Sequence, residues 1–541
     1  MNGVVEVRTG RVRGVERQGV WSFSGIPYAA SPARQRRWRP PAPPETWTGI
    51  RDCDHFGPVA PQTESLIELS LGRDPEVVSE DCLSLNIWTP ATDAARRPVM
   101  VWIHGGSFLT GSGSGGLYRG GMLARDGDVV VVTINYRLGA LGFLAHPALE
   151  EDGQEWIDGQ EWSGSGNWGL ADQVAALHWV REHIHIFGGD PDNVTLFGES
   201  AGGMSVASLL GVDEVRGLFR RVIVQSGPPY TASMDDAANL TEKLAAHLGV
   251  ALTRAELEQV PFDRLVEGVA TFGQTGGSTD DSGLLMKPVV DGGLLPRRPE
   301  LAVEDGAASE VPMIIGTTRD ESTFFALGNP DLGSLDEAGL RRWMRHVTPD
   351  PDAGARMVEA VREIRRTRGE SITPLELWNA IATEHLFRVP SLELADAHLR
   401  KAAPGVGTYC YLFTWESPAF GGALGSCHAI DLPFVFGTVH NRMVQNFSGG
   451  GDDAFALSGA IRAAWTAFAR TGSPADAQPL ASRRGPGSLP GLEPEVWSNW
   501  DPDRRPTTVL GPWPGSPSLC TLVDAPRNEE ASVVATLRAP L

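Results

Sequence analysis

The run Asn193-Val-Thr-Leu-Phe-Gly-Glu-Ser-Ala-Gly-Gly203 places a serine in the pattern Gly-x-Ser-x-Gly around Ser200. A serine hydroxyl is a weak nucleophile. It gains from a sharp turn that lifts it clear of the backbone at a helix N-terminus, where developing negative charge is favoured. Val194, Leu196 and Phe197 read as a buried strand, and Ala201 to Leu210 as the helix that follows. Gly198, Ala201 and Gly202 are the small neighbours such a turn requires. The five-residue motif is weak by itself; the strand before it and the helix after it give it weight.

Serine chemistry also needs a base, an acid that orients the base, and donors for an oxyanion. Pro98-Val-Met-Val-Trp-Ile103 reads as a strand running into His104-Gly-Gly-Ser-Phe108, whose small residues leave amides free to face a carbonyl oxygen. The expected donors are the amides of Gly106, Ser107 and Ala201, against the alternative of a plain glycine turn. Val311-Pro-Met-Ile-Ile-Gly316 reads as another strand, followed by Thr317-Thr-Arg-Asp-Glu-Ser322. Polar residues just past a strand's C-terminal end lie where α/β sheets place their sites. The pattern does not choose between Asp320 and Glu321, and a solvated turn paired to Arg319 is the competing account. Downstream lie His346, His385, His398, His428 and His440. His385 and His398 fall in helical spacing. His428 follows the small-residue loop Gly421-Gly-Ala-Leu-Gly-Ser-Cys427 and is the preferred base, with His440 second.

The elements that must carry these residues are strands alternating with helices, which points to an α/β sheet. No linker, repeat or long charge run divides the 541 residues. Acidic Glu150 to Trp162 reads as a solvated loop, and Arg34 to Arg39 as a packed surface turn. The net charge of −21, with only Lys243, Lys287 and Lys401 as lysines, disfavours nucleic acid and anionic membranes as partners. Five cysteines without metal-ligand spacing fit reduced thiols in a cytoplasm. The N-terminus reads as a β-hairpin, without the basic and apolar regions of a secretory signal. Gly111-Ser-Gly-Ser-Gly-Gly116 matches a dinucleotide fingerprint but lacks its strand–helix setting. Cys427, beside His428, reads as a buried thiol.

These segments, together with others along the chain, resemble the type-B carboxylesterase/lipase family, which includes para-nitrobenzyl esterases, animal carboxylesterases and cholinesterases. The similarity runs through Phe23-Ser-Gly-Ile-Pro-Tyr-Ala29, Ser79-Glu-Asp-Cys-Leu-Ser-Leu-Asn-Ile87, Asn135-Tyr-Arg-Leu-Gly139 and Gly166-Asn-Trp-Gly-Leu-Ala-Asp-Gln173. It continues through Phe187-Gly-Gly-Asp-Pro191, Gln225-Ser-Gly227 and Phe434-Val-Phe-Gly437. The resemblance implies one α/β-hydrolase catalytic domain over 1–541, with a mostly parallel central sheet, covering helices and long insertions. It implies hydrolysis of a small-molecule ester through a triad of Ser200, Glu321 and His428, with neither metal nor organic cofactor. It selects Glu321 over Asp320, gives Glu199 and Ser226 supporting roles, and matches Glu80 and Arg137 to a structural ion pair.

The departures matter too. Ser107 stands where relatives often have Gly or Ala. Gly72 stands at the choline-binding tryptophan of cholinesterases, which argues against that activity. Cys82 matches half of a family disulfide whose partner position falls near Ala60, with Cys53 displaced. A lipase acting on longer-chain esters and a binding homologue that has lost catalysis are the rival implications. Phe108, Trp168, Phe324 and Phe325 are either substrate contacts or core.

Overall fold

Runs such as Val99–Ile103 and Val130–Ile134 are apolar at nearly every position, the signature of strands covered on both faces. The computed structural model describes residues 3–64, 77–150, 154–156, 161–162, 164–274, 282–327, 329, 331–477 and 496–539. Its centre is an 11-stranded sheet. In chain order the strands are β1 (Val15–Arg17), β2 (Val20–Pro27), β3 (Ser84–Thr89), β4 (Arg97–Ile103), β5 (Val130–Ile134) and β6 (Gly189–Glu199). Then come β7 (Arg221–Gln225), β8 (Met313–Thr318), β9 (Thr408–Phe413), β10 (Pro506–Leu510) and β11 (Cys520–Asp524). Across the sheet the order is β11-β10-β9-β8-β7-β6-β4-β5-β3-β2-β1. From β10 through β5 all neighbours are parallel. Antiparallel pairs close both edges. This is the α/β-hydrolase architecture implied by the sequence.

Side-chain alternation sorts each strand between two cores. Val99, Val101 and Ile103 of β4 join the first, Met100 and Trp102 the second. Helices α1 (Gly121–Gly127), α2 (Trp168–His183), α3 (Ala201–Leu209), α4 (Ser322–Leu327), α5 (Val389–Lys401), α6 (Leu432–Phe436) and α7 (Asp452–Thr471) follow one another along the chain. Residues of α2, α3 and α5 pack into the first core, and those of α1, α6 and α7 into the second. The N-terminal hairpin forms as expected, Val4–Val7 against Gly10–Arg13. Strand β8 starts at Met313, two residues later than the apolar run, because Pro312 cannot donate to the ladder.

The ion-pair expectation needs correction. Glu80 and Arg137 do not pair with each other. Glu80 takes two 2.6 Å bonds from Arg37, while Arg137 sends two 2.7 Å bonds to Asp172. Asp172 on α2 also accepts the Arg137 amide at 3.0 Å, so it holds both the side chain and the backbone of Arg137. The Arg34–Arg39 turn is correspondingly anchored by buried Arg37 and Trp38. In the acidic stretch, Trp156 and Trp162 are buried with rings 5.0 Å apart, and Trp162 stacks on Trp168 at 5.2 Å. Residues 151–153 and 157–160 of that stretch, and Gly72, lie outside the described residues. All five cysteines are buried and unpaired. The Gly111–Gly116 loop is tied into the fold: Gly113 donates to Asn135 Oδ1 at 2.7 Å, and Gly111 donates to Gln62 Oε1 at 2.7 Å.

Candidate active site

The C-terminal ends of β4, β6, β7, β8 and β9 converge at one edge of the sheet, where an α/β fold leaves room for a site. Ser200 fills the single position between β6 and α3, with φ 56° and ψ −127°. A non-glycine residue held there costs about 1–3 kcal/mol, which the surrounding contacts must offset. The Ser200 amide donates to Gln225 O at 2.9 Å, and its carbonyl accepts from the Met204 amide at 2.8 Å. Gly202 makes the turn possible, because a Cβ there would stand 2.0 Å from Ile103 O.

The loop after β4 interlocks with this elbow. A Cβ on Gly105 would meet Glu199 O at 2.7 Å and Ser200 Cβ at 3.0 Å. Gly106, Ser107 and Phe108 have φ of 109°, 57° and 60°. The loop's own turn is closed by the Leu109 and Thr110 amides donating to Gly106 O, which leaves the Gly106 and Ser107 amides outside those bonds. The Ala201 amide belongs to the first turn of α3, which lacks intrahelical acceptors.

Glu321, fully buried, follows β8. Its Oε1 accepts from the Thr318 amide at 2.7 Å and from Ser226 Oγ at 2.6 Å. Its Oε2 lies 2.6 Å from His428 Nδ1. Asp320 turns to a different task, bonding the Ser426 amide at 2.8 Å. The His428 Nε2 lies 3.1 Å from Glu199 Oε1, within ion-pair range but without hydrogen-bond alignment, so that oxygen has no hydrogen-bond partner. Among the described residues no hydrogen bond joins Nε2 to Ser200. The other histidines lie elsewhere. His440 stacks on Phe455 at 4.2 Å in an exposed turn, and His398, on α5 as expected, lies 2.7 Å from Thr408 Oγ1. His385 belongs to a π-turn, Glu384–Arg388, rather than a regular helix face.

Burial opposes the charged form of His428, but the Glu199 and Glu321 carboxylates prevail and push its pKa up to about 9. Burial pushes Glu199 up to about 8 against the pull of His428, and pushes Asp431 up to about 6. An imidazole between two carboxylates is thus a strong base that holds its proton firmly. Burial also pushes the Cys427 thiol well above its usual range, which leaves it a poor nucleophile.

Three phenyl rings surround the imidazole: Phe325 at 5.0 Å, Phe387 at 5.1 Å and Phe324 at 6.5 Å between centroids. Phe325 is 42% exposed and so open to a ligand, whereas Phe108 and Trp168 are core. Phe387, in the π-turn, was not singled out by sequence, since only tertiary folding brings it here. Asp431 was also missed; it accepts from Gln225 Nε2 at 2.8 Å and from the Tyr411 hydroxyl at 3.1 Å. Its place three residues after His428, on the same turn, was the one available signal. A separate apolar recess is lined by Gln62, Leu109, Leu138, Leu141, Leu265 and Val269, and includes none of Ser200, Glu321 and His428. Among the described residues no cluster of His, Cys, Asp and Glu fits a metal ion, and no helix is long and apolar enough to cross a membrane.

The sheet and the elbow define a hydrolase of the α/β type. The carboxylesterase family model matches residues 1–507, and the chain belongs to that family, whose members are carboxylic ester hydrolases. It is 37% identical over 474 residues to the para-nitrobenzyl esterase of Bacillus subtilis (strain 168), covering 87% of this chain and 90% of that protein. It is 36% identical over 480 residues to the phenmedipham hydrolase of Pseudarthrobacter oxydans, with the same coverage of 87% and 90%. A Geobacillus stearothermophilus carboxylesterase structure superimposes with a TM-score of 0.80 at 38% identity, covering 98% of this chain and 99% of the other. The chain is accordingly a carboxylic ester hydrolase.

Proposed function

We propose that the chain is one catalytic unit that hydrolyses small carboxylic esters by two acyl-transfer steps at Ser200. His428 takes the Ser200 proton as Ser200 attacks the ester carbonyl, and the resulting oxyanion is held by the amides of Gly106, Ser107 and Ala201. The His428 cation then protonates the departing alkoxide. Water attacks the acyl-enzyme with His428 again as base, and Ser200 is released. Glu321 fixes the imidazole tautomer and stabilises its cation. Ser226 and the Thr318 amide hold Glu321, while Glu199 bears on the other imidazole nitrogen.

The observation that carries this reading is the 2.6 Å Glu321–His428 contact, with His428 Nε2 3.1 Å from Glu199, the residue before a serine in a strained strand–helix turn. Nε2 has to leave Glu199 for Ser200, a rotation that a substrate displacing the carboxylate contact would favour. Because the leaving alcohol must lie against the imidazole, Phe325 and Phe387 are on its side, and aryl or benzyl alcohols suit them. Five buried unpaired thiols support a reducing, cytoplasmic setting.

A second reading, hydrolysis of longer-chain esters at an oil surface, draws on the exposure of Phe325, Leu327 and Phe420. The test is hydrolysis of para-nitrophenyl acetate, butyrate and octanoate, and of emulsified triglyceride, by wild type and Ser200→Ala. Expected are turnover of the soluble esters and a loss of about 10⁶-fold in the variant. Full activity in Ser200→Ala, or no turnover of any ester by the folded wild type, would refute the mechanism. A preference for emulsions would favour the second reading.

A further inference from the structure

Asp320 stands next to Glu321 yet makes no ion pair with His428. Its backbone amide donates to Ser426 O at 2.9 Å, and its Oδ2 accepts from the Ser426 amide at 2.8 Å. These two bonds close a clamp between the turn that carries Glu321 and the loop that carries His428, one residue from the first and two from the second. Neighbouring bonds extend it. Thr323 Oγ1 donates to Leu424 O at 2.6 Å, and Ser426 Oγ donates to Phe413 O at 2.9 Å.

The loop would otherwise be loose. Gly421, Gly422 and Gly425 all have positive φ, of 68°, 89° and 58°. Gly425 also passes so close that a Cβ there would stand 2.6 Å from Asp320 Oδ2. Arg319 donates to the same Asp320 Oδ2 at 2.7 Å and also pairs with Glu416 at 2.7 Å, so it steadies the clamp's acceptor from the other side. The Arg319–Glu416 pair, with Glu416 largely exposed, contributes little. The clamp to Ser426 is the contact with consequences for the site.

We propose that Asp320 is a positioning residue that pins the His428 loop to the Glu321 turn and so sets the separation of acid and base. The proposal rests on the roles assigned above to Ser200, Glu321 and His428. A misplacement of about 1 Å in a reacting group can cost about 100-fold in rate. The groups facing the imidazole are Glu199 from the end of β6, Glu321 after β8, Asp431 from its own loop, and the apolar rings of Phe324, Phe325 and Phe387. Of these contacts, the clamp governs the one to Glu321. Loosening it weakens the carboxylate's hold on the imidazole proton, so the acid limb of the rate profile should move to lower pH.

The experiment compares Asp320→Ala, Asp320→Asn, Gly425→Ala and Arg319→Gln on para-nitrophenyl butyrate. Active sites are counted by the para-nitrophenol released from a para-nitrophenyl phosphonate. Asp320→Ala should lower kcat per counted site by about 10- to 100-fold, leave KM within about twofold, and shift the acid limb downward. Asp320→Asn keeps an acceptor for the Ser426 amide and should recover most of that loss. Arg319→Gln keeps both Asp320–Ser426 bonds but removes a second donor to Oδ2, so its loss in kcat should be smaller than that of Asp320→Ala. A merely structural role would lower Tm and the number of active sites, while kcat per site and the pH limb stayed as in wild type; that result overturns the proposal. If Asp320→Ala does not fold, Gly425→Ala crowds the same clamp from the opposite side. Unchanged kcat and pH limb in Gly425→Ala would overturn it equally. Activity surviving in Ser200→Ala would instead remove the mechanism on which the proposal rests. Full dependence on Ser200 with an unaffected Asp320→Ala removes the clamp alone.

Discussion

The two halves of the site are built by different means. Around Ser200, backbone meets backbone: Gly202 passes Ile103 O, Gly105 passes Glu199 O, and the proposed oxyanion donors are main-chain amides. Around His428, side chains meet across long stretches of chain. Ser226 reaches Glu321 over 95 residues, and Glu321 reaches His428 over 107. The first half tolerates no added atoms. The second tolerates few changes of charge or hydrogen-bonding type. A backbone-built half should therefore break when a methyl is added, and a side-chain-built half when an isostere is substituted.

Loss of the Ser200 nucleophile aside, the largest effect is expected on the side-chain half. Glu321→Gln keeps the shape but lets an amide N–H₂ face Nδ1, favouring the wrong tautomer; kcat should fall by about 10⁴-fold with Tm little changed. A loss under tenfold would show that Glu321 does not orient the base. The backbone half comes next. Gly202→Ala must displace Ile103 O or the elbow, shifting the neighbouring Ala201 amide. Activity should fall by about 10²- to 10³-fold, with a lower Tm from about 1–3 kcal/mol of overpacking. If calorimetry and kinetics both match wild type, the close approach at Gly202 is not required.

Smaller effects sharpen the contrast. Ser226→Ala removes one of the two donors to Glu321 Oε1 and should cost about tenfold in kcat, since the Thr318 amide remains. An unchanged rate and pH profile would remove Ser226 from the mechanism. Glu199→Gln changes mainly the pH dependence. The active base is the neutral imidazole, and Glu199 helps raise the His428 pKa to about 9, so wild-type kcat/KM should still be climbing above neutral pH. Removing that carboxylate charge should move the climb to lower pH, toward the ordinary imidazole range. A climb that stays in place, or moves upward, would mean Glu199 does not act on His428.

How far the sequence could be read follows the same division. The elbow was legible because strand, glycines, serine and helix are contiguous, and each constrains the next through local sterics. The glycine loop after β4 was legible for the same reason. The acid was not: Asp320 and Glu321 fit one pattern, and only a resemblance to relatives favoured Glu321. Folding separates the two by direction, sending Glu321 inward to the imidazole and Asp320 across to Ser426. The ion pairs show this limit from another side. Glu80 and Arg137 were matched as a pair, but each has a better-shaped partner, Arg37 and Asp172, that only the packed fold brings into contact.

By itself, then, the sequence determined the alternation of buried strands and helices, the serine elbow, and the glycine loop that packs against it, because these depend on contacts between near neighbours. Tertiary structure decided which carboxylate meets His428, that Glu199 lies against its other nitrogen, and that Phe387 arrives from a distant π-turn to wall the imidazole. Those choices turn on side-chain direction and burial across the whole sheet, and no local pattern carries that information.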